Sequence, residues 1–356
     1  MTWADRGRGV LTPLTAVAAA ILALNLLSFA FGQSPWSTLA AAAAGSWGTP
    51  YGVGQVLFKA TPLLLAGIAV DVALRAGMFN IGVEGQLAVG SLAGALTALL
   101  MPAWLPAPIA VALVLASSAA AGGGWAAIAG AMRVRFGAHE VISTIMLNRI
   151  ADALLAVLMT AFFALPGSVR TADIPSNTRI PRLQSLGLAF NGSAASLAFP
   201  LAVLVLAAVG FWLRKTRSGR EVVWIGINEH ACAAEGIPVG SRRMLAMTLS
   251  GAIAGLAAAG TVLGYKGYYE MGLGAGAGFG GIAVAFLGRG NPVGLLLAAL
   301  LFGTLAQAGL AINAQVPKEA MGILEAVVII AAALAGRAAT SPQAPRRTAQ
   351  TDGGKP

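Results

Sequence analysis

Few residues in this 356-residue chain could do covalent chemistry, and those few are scattered. Cys232 is the single cysteine, which excludes an intrachain disulfide and a cysteine metal cluster. The two histidines, His139 and His230, read as interfacial polar residues rather than ligands, and no Ser-His-Asp or metal set has plausible spacing. Gly276, Gly278 and Gly281 satisfy G-x-G-x-x-G, but no strand precedes them and their surroundings are apolar. A dinucleotide site is therefore rejected, and the glycines read as permitting close helix approach or a re-entrant turn. The phosphate-loop pattern G-x-x-x-x-G-K-[ST] does not occur, since Gly354-Lys355 is followed by Pro356. What is left is polar side chains set inside apolar sequence, whose chemistry is binding and passage. Asn80, Glu84 and Gln86 lie in RAGMFNIGVEGQLAVG (75–90), and Asn148, Arg149 and Asp152 lie in HEVISTIMLNRIAD (139–152).

Such groups are costly in hydrocarbon unless they face a cavity or a partner. Gly77, Gly82 and Gly85 around the first set permit broken helical backbone, which is tolerated where protein or water covers it. Glu84 reads either as lining a path or as anchoring helix ends near Arg75. Asn80 reads as path lining or backbone bracing. Arg149 and Asp152, three apart, can pair on one helix face. They read as a neutralised pair packing the bundle or as a direct substrate contact. Asp71 and Arg75, four apart, read as an interfacial pair without a transport role.

The elements that must position these residues are membrane helices. Hydrophobic residues make up 57% of the chain and charged residues 10%, against about 25% charged in soluble domains; the mean hydropathy is +0.79. The apolar stretches run roughly 18–25 residues and are rich in Ala, Leu and Gly, which suits spanning helices rather than barrel strands. The expected fold is all-α, a polytopic bundle of nine or ten spans with broken helices. Full helices are expected at about 13–31, 56–75, to Leu100, to Met132, Glu140–Leu165, to Leu213, 244–264, 292–312 and 320–336. A short helix is expected between Tyr265 and Leu287. Residues 33–54 read as a Gly/Ser/Trp-rich outer segment, and 166–195 as an outer loop. Arg6 and Arg8 before the apolar run Pro13–Phe31 resemble an export signal, but the run is long enough to cross and reads as an uncleaved first helix. Residues 1–12 and 337–356 read as a cytoplasmic N-terminus and a disordered cytoplasmic tail around a permease domain at 13–336.

Charge supports this order. Of the 23 basic residues, Arg170, Arg179, Arg182, Lys266 and Lys318 fall in outer loops, and Lys59 and Arg149 lie within helices. The others fall in inner loops and tails, which places both termini in the cytoplasm. The net charge of +10 thus sets topology, and nucleic acid is not an expected partner.

The longest inner loop, TRSGREVVWIGINEHACAAEGIPVGSRR (216–243), is no plain linker. Ala231–Glu235 favours a short helix that Gly236-Ile237-Pro238 ends, and Trp224, Ile225, Ile227 and Ile237 give it apolar contacts. A short helix held on the membrane face suits a permease that receives a push from a separate ATPase.

Here the chain resembles the permease subunits of bacterial ATP-binding-cassette (ABC) importers for simple sugars, nucleosides and branched-chain amino acids. Members typically show GR-x-x-R-A-x-G-x-N-x-x-A-A-x-x-x-G-I in the coupling segment. This chain has Gly219, Arg220, Gly226, Asn228, Ala233, Ala234, Gly236 and Ile237, with Trp224 and Ile225 where Arg-Ala is common. The 75–90 and 139–151 stretches resemble signatures of the nucleoside-type branch, and GFGGIAVAFLGRGNP (278–292) resembles a third pattern. The resemblance covers about 55–340 and is to the longer of the two permeases in nucleoside-type systems. It implies an inner-membrane, multi-pass transport subunit that is no enzyme and binds no cofactor. ATP would be bound by a partner ATPase. The other implied partners are a second permease, a periplasmic or lipoprotein solute-binding protein, and a nucleoside or a ribose-like sugar. An ion-coupled secondary transporter is the other class weighed, with Arg149 and Asp152 as its coupling residues.

Overall fold

A computed structural model describes residues 18–190 and 192–317, with 322–324, 326–328, 330 and 331 beyond them. The expected N-terminal segment, tail and most of the final span lie outside these residues. Every described element is helical, apart from the isolated bridges Arg170–Glu270 and Arg182–Ser196. In order they are α1 (Ala18–Ala30), α2 (Pro35–Trp47), α3 (Pro50–Arg75), α4 (Val83–Leu99), α5 (Ala107–Phe136) and α6 (Glu140–Leu158). There follow α7 (Ala198–Lys215), α8 (Arg217–Ile227), α9 (Glu229–Ala234), α10 (Val239–Gly255), α11 (Ala277–Gly288) and α12 (Pro292–Ala311). Wider π turns extend α6 to Phe163 and α10 to Lys266.

Six of these helices, counting the extensions, are long and apolar enough to cross a membrane, while α1, α4 and α11 are apolar but shorter. The expected nine or ten spans counted such shorter segments as crossings. The outside of the bundle carries exposed Leu26, Phe29, Ile150, Leu204, Phe211 and Leu297, a surface that suits lipid and not water. Trp36, Trp47, Tyr51 and Trp104 are also exposed, and such ring-and-dipole side chains favour the lipid–water boundary.

α3 and α10 form the centre. About three quarters of an 18-residue window is buried in each, 78% and 72%. Pro50 starts α3 at the position where its missing N–H costs nothing, and the Thr49 hydroxyl accepts from Gly52 N at 3.0 Å. Around this pair, α10 packs on α5 and α4, and α3 on α11 and α12. The α5–α10 crossing is backbone on backbone: a methyl at Gly251 would overlap the Gly122 carbonyl, and one at Gly255 the Ser118 carbonyl.

Residues 33–54, read as an outer segment, hold α2 and the first turn of α3. Their Ala run, started by Pro35, forms a helix despite the neighbouring Gly, Ser and Trp. The 216–243 segment holds two helices rather than one. Thr216 caps α8 by accepting from Gly219 N at 3.1 Å, and Asn228 caps α9 by accepting from Ala231 N at 3.0 Å. The expected stop is present: Gly236 sits at φ +75°, a left-handed conformation suited to glycine.

Six of the described basic residues gather in two groups at opposite ends of the bundle. Arg170, Arg182 and Lys266 meet around Tyr265, Tyr268 and Glu270. Arg75, Arg214 and Arg220 meet at the other end, around the start of α12.

Candidate functional site

Two of the shorter helices begin inside the bundle. α4 rises about 26 Å and α11 about 18 Å at 1.5 Å per residue, against a hydrocarbon core of about 30 Å. Both follow non-helical stretches, 76–82 and 267–276. Backbone of this kind at membrane depth must find its hydrogen bonds within the protein.

The stretch before α4 finds them in Asn80, which is fully buried. Its amide N–H groups donate to Gln86 Oε1 (2.9 Å) and Ser250 Oγ (2.8 Å). Its Oδ1 accepts from Gly82 N (2.9 Å) and Gln86 Nε2 (3.0 Å). Ser250 donates onward to the Ala69 carbonyl of α3 at 2.6 Å. From α6, Asn148 accepts from Gly85 N (2.9 Å) and donates to the Ile81 carbonyl (3.0 Å). Asn80, Gln86 and Asn148 therefore brace the broken segment. Ser250 lies about 17 Å along α10 from Val239, near mid-depth. Asn80→Leu would strand the Gln86 amide and the Gly82 N–H in the interior, at about 1–3 kcal/mol per unsatisfied group. The expected outcome is a lower Tm in detergent together with loss of uptake. Unchanged Tm and uptake would remove the bracing role.

Glu84 holds the start of α11. Its two carboxylate oxygens accept from Gly276 N (2.6 Å) and Gly278 N (2.7 Å), 192 and 194 residues along the chain. The negative charge sits where the helix presents unpaired N–H groups. Gly276 is at φ +86°, and a methyl on Gly278 would press into the Glu84 backbone, so glycine is required at both positions. Thus the G-x-G-x-x-G run is the start of α11: Gly276 and Gly278 receive a carboxylate, and Gly281 lets the helix lie closely on Ala66 of α3.

Beside this contact a cavity of about 140 Å³ is lined by Glu84, Leu87, Asp152, Leu155, Tyr269, Met271 and Leu273. Asp152 reaches it from α6. The Arg149–Asp152 pair forms as its spacing implied, at 3.6 Å, but its side chains are 79% and 59% exposed. The expectation that it packs the bundle is corrected: the pair stays largely exposed, with Asp152 at the edge of this cavity. Asp152 lies about 18 Å from Glu140 along the helix, again near mid-depth. Charges there require water or another protein surface beside them. Asp71 and Arg75 pair at 2.8 Å, and Arg75 also donates to the Gly290 carbonyl, tying the end of α3 to the turn before α12.

At the end of the bundle, α8 and α9 form a folded unit. Gly219 and Gly226 let α8 lie on the Trp212 and Arg75 carbonyls, where any Cβ would clash. Arg220 lines the groove between α8 and α9 with Trp224, Ala231, Glu235 and Ile237, and Ala233 and Ala234 on α9 are exposed. Glu221, which the sequence reading did not single out, is buried and accepts from Arg217 Nε (2.7 Å) and Arg242 Nε (2.5 Å). These bonds hold its carboxyl below the usual range. The stability it contributes is present at neutral pH and is lost only as acid protonates it below that range. Its i,i+4 spacing from Arg217 was the available signal.

Membrane-length helices, two half-helices meeting at a carboxylate near mid-depth, and a separate helical unit packed on one end define a membrane transport permease. The chain belongs to the family described as branched-chain amino acid transport system / permease component, which matches residues 52–333. It is 37% identical over 332 residues to the guanosine ABC transporter permease protein NupP of Bacillus subtilis, covering 90% of this chain and 92% of that one. A glucose ABC transporter permease protein of Haloferax volcanii is 32% identical, covering 92% and 87%. The nucleoside ABC transporter permease protein NupB of Lactococcus lactis is 29% identical, covering 91% of each.

Proposed function

We propose that this chain is the permease subunit of an ATP-driven importer of nucleosides in the inner membrane, with both termini cytoplasmic. The observation that carries the reading is the outward face of α6, where Arg149 and Asp152 stand exposed near mid-depth beside the Glu84 cavity. A path along this face is closed on its other side by a second permease subunit. Size supports a second wall: about 140 Å³ is below the roughly 300–1,000 Å³ of sites that enclose a small molecule. Glu84 and Asp152 offer acceptors to the hydroxyls of a neutral, ribose-containing solute. The guanosine and nucleoside permeases among the relatives support the substrate class. The glucose permease supports a simple sugar as the second reading. A solute-binding protein delivers the solute outside, and α8–α9 receive the push of a separate ATPase, which binds the ATP.

Competition against radiolabelled guanosine uptake by a panel of unlabelled nucleosides and sugars checks the substrate. Nucleosides are expected to compete at least tenfold better than ribose or glucose, and the reverse order would move the assignment to a sugar. Impermeant thiol labelling at Ser176→Cys in a Cys232→Ser background checks orientation. Labelling in intact cells is expected, and its absence would reverse the topology.

A further inference from the structure

The ionic contacts between the α8–α9 unit and α10 are one-sided. Arg242 and Arg243, adjacent near the start of α10, reach different helices: Arg242 bonds buried Glu221 of α8, and Arg243 bonds Glu229 in the first turn of α9. α10 then runs to Ser250, which bonds both Asn80 in the broken segment and the Ala69 carbonyl of α3. Beyond it, Gly251 and Gly255 hold α10 tightly on α5. One rigid helix thus touches the coupling unit at one end and the brace of α4 at its middle. α4 carries Glu84, which holds α11.

We infer that Arg242 and Arg243 are positioning residues for transport: they clamp α8 and α9 to α10, so that motion imposed on the loop reaches the Asn80 brace through α10. This rests on the proposed coupling role of the loop. The α9 helix is too short to hold itself. It has six residues, well below the roughly 12–15 at which even good helix formers become marginal in water. Besides its Asn228 cap, it has the Arg243–Glu229 pair to fix its direction. Arg243 is the more informative residue, because Glu221 keeps Arg217 when Arg242 is lost.

The test uses Arg243→Glu and the swapped pair Glu229→Arg/Arg243→Glu, with two readouts. Hydrogen exchange of the α9 amides in the purified permease reads the clamp without any partner. At least tenfold faster exchange is expected in Arg243→Glu, with recovery in the swapped pair; unchanged exchange in Arg243→Glu would overturn the clamp. Solute transported per ATP hydrolysed, in the full complex in proteoliposomes, reads transmission. Arg243→Glu is expected to keep ATPase association and ATP hydrolysis within twofold while uptake per ATP falls at least tenfold. The swapped pair is expected to recover half or more. Faster exchange with unchanged uptake per ATP, or no recovery in the swapped pair, would overturn transmission. A wild-type complex with no ATP-dependent uptake would instead overturn the functional reading and transmission with it, leaving the exchange result to decide the clamp.

Discussion

Glu84→Ala is expected to reduce uptake at least a hundredfold in membranes that still contain the permease. The carboxylate is the described partner of Gly276 N and Gly278 N at the start of α11, which packs on α3. Hydrogen bonds to a charged group contribute about 1.5–3 kcal/mol each. Losing both frees a helix whose preceding stretch contains left-handed Gly272, Gly274 and Gly276 and is therefore easily rearranged. The same substitution removes an acceptor from the cavity that Asp152 shares. Glu84→Gln keeps the shape and one acceptor but turns an N–H₂ toward a donor, so an intermediate loss is expected. Uptake normalised to permease in the membrane checks both. An alanine variant within twofold of wild type would separate Glu84 from transport.

Gly251→Leu is expected to prevent assembly of the bundle. The added side chain would have to occupy the space of the Gly122 carbonyl and the Ala126 methyl, and a backbone carbonyl cannot move aside as a flexible side chain can. Overpacking costs about 1–3 kcal/mol where side chains can adjust, and more is expected here, where two helix backbones must separate. Gly124→Leu is the matched control, two residues beyond Gly122 on α5, since a Cβ at Gly124 meets nothing within 4 Å. Permease level and Tm in detergent are the measurements. Collapse of both in Gly251→Leu, with Gly124→Leu near wild type, is expected. Equal behaviour of the two variants would contradict the close α5–α10 crossing.

Local chemistry was legible in the residues, and long-range direction was not. The helices appeared in sequence because apolar runs and basic loops follow from the cost of polar groups in lipid. The stop of α9 was legible in Gly236-Ile237-Pro238. Its start was placed near Ala231, although the Asn228 cap sets it at Glu229. The residue spacing showed that Arg149 and Asp152 share a face. It did not show which way the face points, because α6 is apolar on several sides and its orientation depends on α4 and α5. Glu84 was divided between lining and anchoring. Its partner lies 192 residues away on another half-helix, and no local pattern reports that. Asn80 was read as path lining or bracing, and its four hydrogen bonds place it with the brace.

The most direct measurement of the central claim is nucleoside uptake into proteoliposomes containing this permease with the proposed second permease, ATPase and solute-binding protein. It is made with and without ATP, and with Ala233→Glu in the α9 face proposed to meet the ATPase. Accumulation that requires ATP and the ATPase subunit, and is lost in Ala233→Glu together with ATPase co-purification, is the expected result. Accumulation by the permease without the ATPase, driven by an imposed proton or sodium gradient and unaffected by Ala233→Glu, would contradict it and assign the chain to ion-coupled transport.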